Sequence, residues 1–282
     1  MLKQWFFYGL GLAVLLINKI RYSLLGYQRP RDFPSTAINQ AITYDVSVVN
    51  NWLNTLTEYA GVGVVNKTVL ELGPGADLGV ALILLSKGSK KYSAVDVNNL
   101  NKNVPAIFYE KLLAQLGKPE LSSALQNKNK INYIWDSNFN LAQLSSTDCD
   151  IVVSQAAFEH FTNPEQALTH LSRVVKSGAM LIAEIDLQTH TRWLRTQDPL
   201  NIYRYSETVY KWGYFSGLPN RVRPLAYEKV LEQNGWTNIR VIPKNTTNQA
   251  ELQRYQALLA KPFRNKAAQM EILSFVLCAT KK

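Results

Sequence analysis

The chain has 282 residues, 46% of them hydrophobic and 18% charged, which excludes a largely disordered chain and leaves room for a sizeable core. Its net charge of +10 admits nucleic acid, an anionic membrane or an acidic substrate as partner and does not choose among them. Two cysteines, Cys149 and Cys278, each sit inside an apolar run; this excludes a disulfide framework and a thiolate metal cluster, and fits a reducing compartment.

Residues 1–34 form the first unit. Trp5–Ile17 (WFFYGLGLAVLLI) is 13 uncharged residues, about 20 Å as a helix against roughly 30 Å of bilayer hydrocarbon. No small-residue cleavage site follows, so a cleaved signal peptide is not expected. Lys3, Lys19, Arg21, Arg29 and Arg31 accompany the run with no acid among residues 1–31. The expectation is peripheral contact with an anionic membrane through residues 1–31, with the main domain cytoplasmic. A helix packed on the folded domain and a true span are the competing readings.

Residues 35–282 form the second unit. Apolar strand-like runs at 67–72, 91–97, 131–135, 150–154 and 179–186 alternate with helical stretches, one of them NPEQALTHLSRVVKSG, with Asn163 as cap, Pro164 in the first turn and Gly178 as stop. Strands alternating with helices predict a parallel sheet with right-handed crossovers. Two further strands are predicted at 238–242 and 272–280, after a helix near Tyr227–Gln233. Residues 187–225 are too long for an ordinary connection and carry Trp193, Tyr203, Tyr205, Tyr210, Trp212, Tyr214 and Phe215. They read as a cap that excludes water from a substrate, although ordinary packing accounts for some of the aromatics.

The stretch VLELGPGADLG (69–79) puts three glycines behind the first strand. In a doubly wound sheet, ligands bind outside the carboxyl ends of the strands, and an acid about twenty residues beyond such a loop suits a ribose diol. Asp96 ends the second strand 21 residues after Gly75. Glu71 stands where a carboxylate meets a cationic amino group, and Asp136 stands past the third strand, placed for an adenine amino group.

These motifs resemble a class I S-adenosylmethionine (SAM)-dependent methyltransferase, close to the type 11 and type 23 methyltransferase domain families. VLELGPG, AVDV, WDS and DIVVSQAAFEHF carry the similarity over 67–186, and NRVRPLAYEKVLEQNGW extends it more weakly towards the last strand. The resemblance implies an α/β, Rossmann-like doubly wound seven-stranded sheet. It also implies SAM as cofactor, held by Glu71, Gly73, Gly75, Asp96, Asp136, Ser137 and, at the rim of the pocket, Ser154. Two features depart from the family. Asp77 occupies the place of the frequent third glycine, and S-Q-A-A stands where amino-methylating nucleic-acid enzymes have an N-P-P-Y type motif.

No metal is expected. His190, after the fifth strand, and His160, in the Glu159–His160 pair, are the candidate general bases for a hydroxyl acceptor; pocket lining is the plainer role for Glu159–His160. Arg192, Arg195, Arg204, Arg221 and Arg223 either meet an anionic acceptor or pair with Asp198 and Glu207. The expected function is methyl transfer to a small-molecule or lipid-like acceptor. The alternatives are a nucleic-acid methyltransferase, although no RNA module is evident, an NAD(P)-binding Rossmann oxidoreductase, although no Tyr-x-x-x-Lys pair exists, and a catalytically idle SAM-binding protein.

Overall fold

The computed structural model describes residues 2–25, 33, 36–139, 141, 144 and 148–282. Arg29 and Arg31 of the basic cluster lie outside the described residues, as do the side chains of Lys3 and Arg192.

Seven strands form one sheet in the order β3-β2-β1-β4-β5-β7-β6. β1 (Thr68–Leu72), β2 (Lys91–Asp96), β3 (Ile131–Trp135), β4 (Ile151–Gln155) and β5 (Met180–Asp186) run parallel. β6 (Trp236–Thr246) and β7 (Ile272–Lys281) complete it, with β7 antiparallel to both β5 and β6. The five parallel strands match the apolar runs to within a residue or two, because strands covered on both faces read as continuous hydrophobic runs.

α2 (Ile38–Ala60), α3 (Gly79–Ser86) and α4 (Ala106–Leu116) cover one face, in a core containing Trp52, Leu82, Tyr92 and Phe108. On the other face α5 (Pro164–Val174) and α8 (Pro224–Gln233) pack with Phe158, Leu181, Tyr227 and Phe275. The strand order reverses between β1 and β4. At such a switch point the connections leave to opposite faces and open a crevice at the carboxyl ends, which locates the site. α2 was not read from the sequence, yet its stripe of Ile42, Asp45, Val48, Val49, Trp52 and Leu56 is buried.

A third core lies beyond the edge of the crevice. After the short cap helix α6 (Arg192–Gln197), it joins residues 200–218, including α7 (Glu207–Gly213), to α9 (Gln249–Gln256) and residues 259–273, and includes Tyr203, Tyr205, Tyr210, Phe215 and Leu259. Four of the seven cap aromatics are therefore buried packing, while Trp193 and Trp212 remain exposed.

The N-terminal helix α1 spans Leu2–Leu25, longer than the apolar run alone indicates, because Asn18, Lys19 and Arg21 continue it. Residues Trp5–Leu25 are long and apolar enough to cross a membrane by length and composition, so the 20 Å expectation falls short. One side of α1 docks on the cap rather than on the sheet. Asn201 Nδ2 donates to Phe7 O at 2.9 Å, the Tyr205 hydroxyl donates to Tyr8 O at 3.0 Å, and Lys19 Nζ donates to Trp212 O at 2.7 Å. Tyr22 stacks on Phe215. The other side leaves Trp5, Phe6, Ile17, Ile20, Leu24 and Leu25 exposed.

Candidate active site

The glycine loop leaves β1 at the centre of the sheet. Gly73 N donates to Val95 O at 2.9 Å, and its φ of +73° is one that side chains rarely adopt. A Cβ on Gly73 would also lie 2.6 Å from Ala157 Cβ, so the turn after β4 packs against bare backbone. Gly75 N donates to Asp96 Oδ2 at 3.1 Å, and Asn98 N donates to Asp96 Oδ1 at 2.7 Å. Asp136 follows β3, its N bonded to Asp96 O and its Oδ1 accepting from Asn138 N; Ser137 beside it is exposed. The sheet thus brings Glu71, Gly73, Gly75, Asp96, Asp136 and Ser137 to one rim.

Ser154 is different. It is fully buried, and its hydroxyl donates to Leu72 O at 2.8 Å. That bond fastens β4 to the end of β1 and makes Ser154 a positioning residue instead of a ligand contact.

The loop is crowded with acids. Glu71 is 2% exposed and accepts from the Tyr92 hydroxyl at 2.5 Å; burial pushes its carboxyl up to about 8 despite that bond, with Asp77 and Asp96 adding repulsion. Asp96 is pushed up to about 6 by burial. Asp77 Oδ1 accepts from Gly79 N at 2.8 Å, and burial raises this carboxyl as well. The fourth acid, Asp45, arrives from α2 and is pushed up to about 10, by burial first and then by Asp77. A Cβ on Gly79 would lie 2.1 Å from Asp45 Oδ2 and 2.8 Å from Phe108 Cζ, so a carboxyl approaches this glycine too closely for any side chain.

Sequence reasoning missed Asp45 and gave Asp77 only as a departure. The available signal for Asp45 was an acid at a core position of an apolar stripe. Tyr44 stands beside them, 56% exposed. Its phenol is pushed up to about 12 by desolvation first and then by the carboxyls of Asp45, Glu71, Glu184 and Glu159.

Across the crevice, a 3₁₀ turn at Phe158–His160 follows β4. The cap clamps it: Asn220 N donates to Glu159 O, and Asn220 Nδ2 donates to Phe158 O and Phe161 O. His160 Nδ1 lies 2.6 Å from Gly217 O, and His190 Nδ1 lies 2.9 Å from Gln188 O. The two rings meet edge to face at 4.8 Å, and His190 Nε2 is 4.0 Å from Glu159 Oε1. The two candidate bases are thus brought together with Glu159 in one corner.

The sheet order departs from the all-parallel 3-2-1-4-5-6 arrangement of dinucleotide-binding folds by a seventh, antiparallel strand between β5 and β6. The profile of the methyltransferase domain family, type 23, matches residues 48–241. The chain belongs to this methyltransferase family. No curated protein matches it in sequence. Among solved structures, the CurJ carbon methyltransferase aligns at 17% identity over 95% of this chain and 66% of its own, with a TM-score of 0.48. A SAM-dependent methyltransferase from Aquifex aeolicus aligns at 19% over 89% and 100%, with a TM-score of 0.47. Geranyl diphosphate C-methyltransferase from Streptomyces coelicolor aligns at 11% over 90% and 86%, with a TM-score of 0.44.

The methyltransferase cofactor, SAM, fits the donor set. It carries a cationic ammonium and a cationic sulfonium, and the loop presents four carboxyls that burial leaves short of counter-charge. A dinucleotide would instead place its pyrophosphate at the N-terminus of the helix after the loop. In this methyltransferase the N-terminus of α3 already holds Asp77.

The cap arginines are committed internally. Arg204 and Asp198 form an ion pair of 2.9 Å with both side chains at most 1% exposed. Arg221 pairs with Glu207, bonds the carbonyls of Ile202 and Tyr205, and lies over the Tyr210 ring. Arg223 bonds the carbonyls of Ala268, Gln269 and Ile272, and Arg195 pairs with Asp186 at 2.5 Å. Of the two roles expected for these arginines, internal pairing is the one the structure holds; they give no support to an anionic acceptor.

Between α1 and the cap runs a narrow crevice of about 20 Å³, lined by Val14 and Leu15 on one side and Leu194, Ile202, Phe215 and Leu218 on the other, with His190 on its wall. A larger polar hollow of about 520 Å³, with Lys90, Lys91, Lys130 and Asp150, lies at the amino ends of the strands, away from the glycine loop.

Proposed function

We propose that the protein methylates a small, lipid-like acceptor that enters between α1 and the cap, and that it works at the cytoplasmic face of a membrane. The methyl-transfer part is carried by one observation, the four carboxyls of Asp45, Glu71, Asp77 and Asp96 around the glycine loop. When bound, SAM supplies a methyl group on an electron-poor sulfur. Glu71 and Asp77, with Asp45 behind them, would hold its cationic end. Asp96 would accept from the ribose hydroxyls, and Asp136 from the adenine amino group.

The acceptor side is the corner of Glu159, His160 and His190. With Nδ1 donating to Gln188 O, His190 presents its Nε2 lone pair to the corner, where a hydroxyl proton is taken up as the oxygen reacts. The cap segment 215–222 and the turn 157–160 exclude water, and positioning of this kind contributes roughly 7–11 kcal/mol in favourable systems.

The lipid-like character rests on the apolar crevice between α1 and the cap. In its closed form it has room for about one water, so α1 must shift for an acceptor to pass. The exposed apolar side of α1, with Trp5 at one end and Arg21 towards the other, suits a helix lying in a membrane interface.

The experiment is a methyl-transfer assay with labelled SAM on a lipid extract and on a water-soluble extract. Label in the lipid fraction supports the reading, and label only in the aqueous fraction overturns the acceptor class. With an acceptor in hand, His190→Ala is expected to lower turnover by about 10²–10⁴-fold while SAM affinity stays within twofold by calorimetry.

A further inference from the structure

The corner facing the glycine loop has a property that a general base alone does not require. The chain contains three histidines, and two of them converge here on a carboxyl that is almost entirely buried. Glu159 is 1% exposed, and neither of its oxygens has a hydrogen bond of good geometry, although the backbone of Glu159 and Asp186 lies near. The carboxyls of Asp186 and Glu184 act on it with the same sign of charge, and the nearest basic group is the His190 ring at 4.0 Å. Leaving a buried carboxyl so poorly satisfied is costly and marks a site where a partner is expected.

The imidazoles are oriented as ligands. Each holds a backbone carbonyl through Nδ1, Gly217 O for His160 and Gln188 O for His190. A proton on Nδ1 puts the lone pair on Nε2, the arrangement that fixes the tautomer and ring direction of metal-bound histidines. One ligand atom from each of Glu159, His160 and His190 can be chosen so that all three lie within 4.8 Å of one another. Bonds of about 2.1 Å in a tetrahedral shell place ligand atoms about 3.4 Å apart, a contraction of at most about 1.4 Å from the 4.8 Å limit, shared among three side chains.

We propose that Glu159, His160 and His190 bind one divalent first-row transition ion. Two imidazole nitrogens and one carboxylate form the three-ligand set of an open site, with coordination positions left for water or for an acceptor oxygen. From the sequence no metal is expected, because the ligands stand on two loops thirty residues apart and only the cap holds them together. The role of the ion towards the acceptor rests on the methyltransferase reading. There, the ion would acidify a bound acceptor hydroxyl so that its proton leaves to water as the oxygen takes the methyl group, and His190 would act through the ion as its ligand, replacing the direct proton uptake proposed above for the metal-free corner. The binding itself does not depend on that reading.

The test uses the tag-free, full-length protein after chelator treatment, titrated with Zn²⁺ by calorimetry and with Co²⁺ by visible absorption. One ion per chain is expected. His160→Gln and His190→Gln are each expected to weaken binding by at least tenfold, in the range of about 10–100-fold seen even for outer-shell partners. His170→Gln, on α5, should leave binding unchanged. Glu159→Gln should remove the Co²⁺ absorption, with thermal unfolding run in parallel; the two histidine variants decide the matter if Glu159→Gln does not fold. SAM is titrated separately, so loss of the metal site and loss of the cofactor reading are distinguishable. Absence of stoichiometric Zn²⁺ and Co²⁺ binding, or binding undiminished in both histidine variants, overturns the proposal.

Discussion

The cap and the glycine loop treat buried charge in opposite ways. In the cap every described arginine meets an internal partner: Arg204 with Asp198, Arg221 with Glu207 and two carbonyls, Arg223 with three carbonyls. At the loop, Asp45, Glu71, Asp77 and Asp96 gather without a cation among the interactions that act on them, and burial raises all four carboxyls. The protein has the arginines to neutralise an acidic cluster and places them elsewhere. Charge satisfied internally builds structure; carboxyls that burial keeps protonated would release those protons to hold a cationic ligand.

The largest expected effect lies in the cap. Arg204→Met leaves Asp198, 0% exposed, as a buried charge without its ion-pair partner, and should cost about 3–5 kcal/mol in denaturant unfolding. SAM affinity of the folded protein should hold. A loss of SAM binding out of proportion to stability would break the division between the two regions.

On the loop side the order of effects reverses. Asp96→Ala removes the acceptor of two backbone N–H groups and, in the proposed complex, of the ribose hydroxyls, and should weaken SAM by at least tenfold, as charged hydrogen bonds of about 1.5–3 kcal/mol require. Stability should change less than in Arg204→Met. Equal affinity for wild type and variant would remove Asp96 from the site.

The smallest effect, and the sharpest probe of the comparison, is pH. Glu71 is raised from 4.5 to about 8 and Asp96 from 3.8 to about 6, so the folded protein holds protons that the unfolded chain has released across this window. Stability of the ligand-free protein therefore falls as pH rises from about 4 to 8. A cationic ligand favours the ionised carboxyls, so SAM affinity should rise from pH 6 to 8. Thermal unfolding with and without SAM across that range measures both trends; a flat affinity would mean that the carboxyls are ionised before the ligand arrives.

What was legible in the sequence follows from how local each feature is. The glycine loop, Glu71 and Asp96 are written in two strands and the turn between strand and helix, and the five parallel strands announce themselves as apolar runs. Asp45 lies 28 residues before Gly73 on a helix the sequence reading passed over, and only the packing of α2 against α3 brings it to Gly79. Ser154 looked like a rim residue because it ends an apolar strand; its bond to Leu72 O becomes visible only once β4 lies beside β1. The α1–cap crevice is less legible still, since it joins residues about 190 positions apart. The arginines were readable as charges but not as pairs, because pairing is a property of the folded cap.

The central claim is that the acid-lined glycine loop is built for the ammonium-bearing adenosine shared by SAM and S-adenosylhomocysteine and not for a dinucleotide. Calorimetric titration of the purified protein with SAM, S-adenosylhomocysteine and NAD⁺ at pH 8 tests it most directly. Saturable binding of SAM and S-adenosylhomocysteine with negligible heat from NAD⁺ is the predicted result. Tight binding of NAD⁺ with none of SAM would contradict the account.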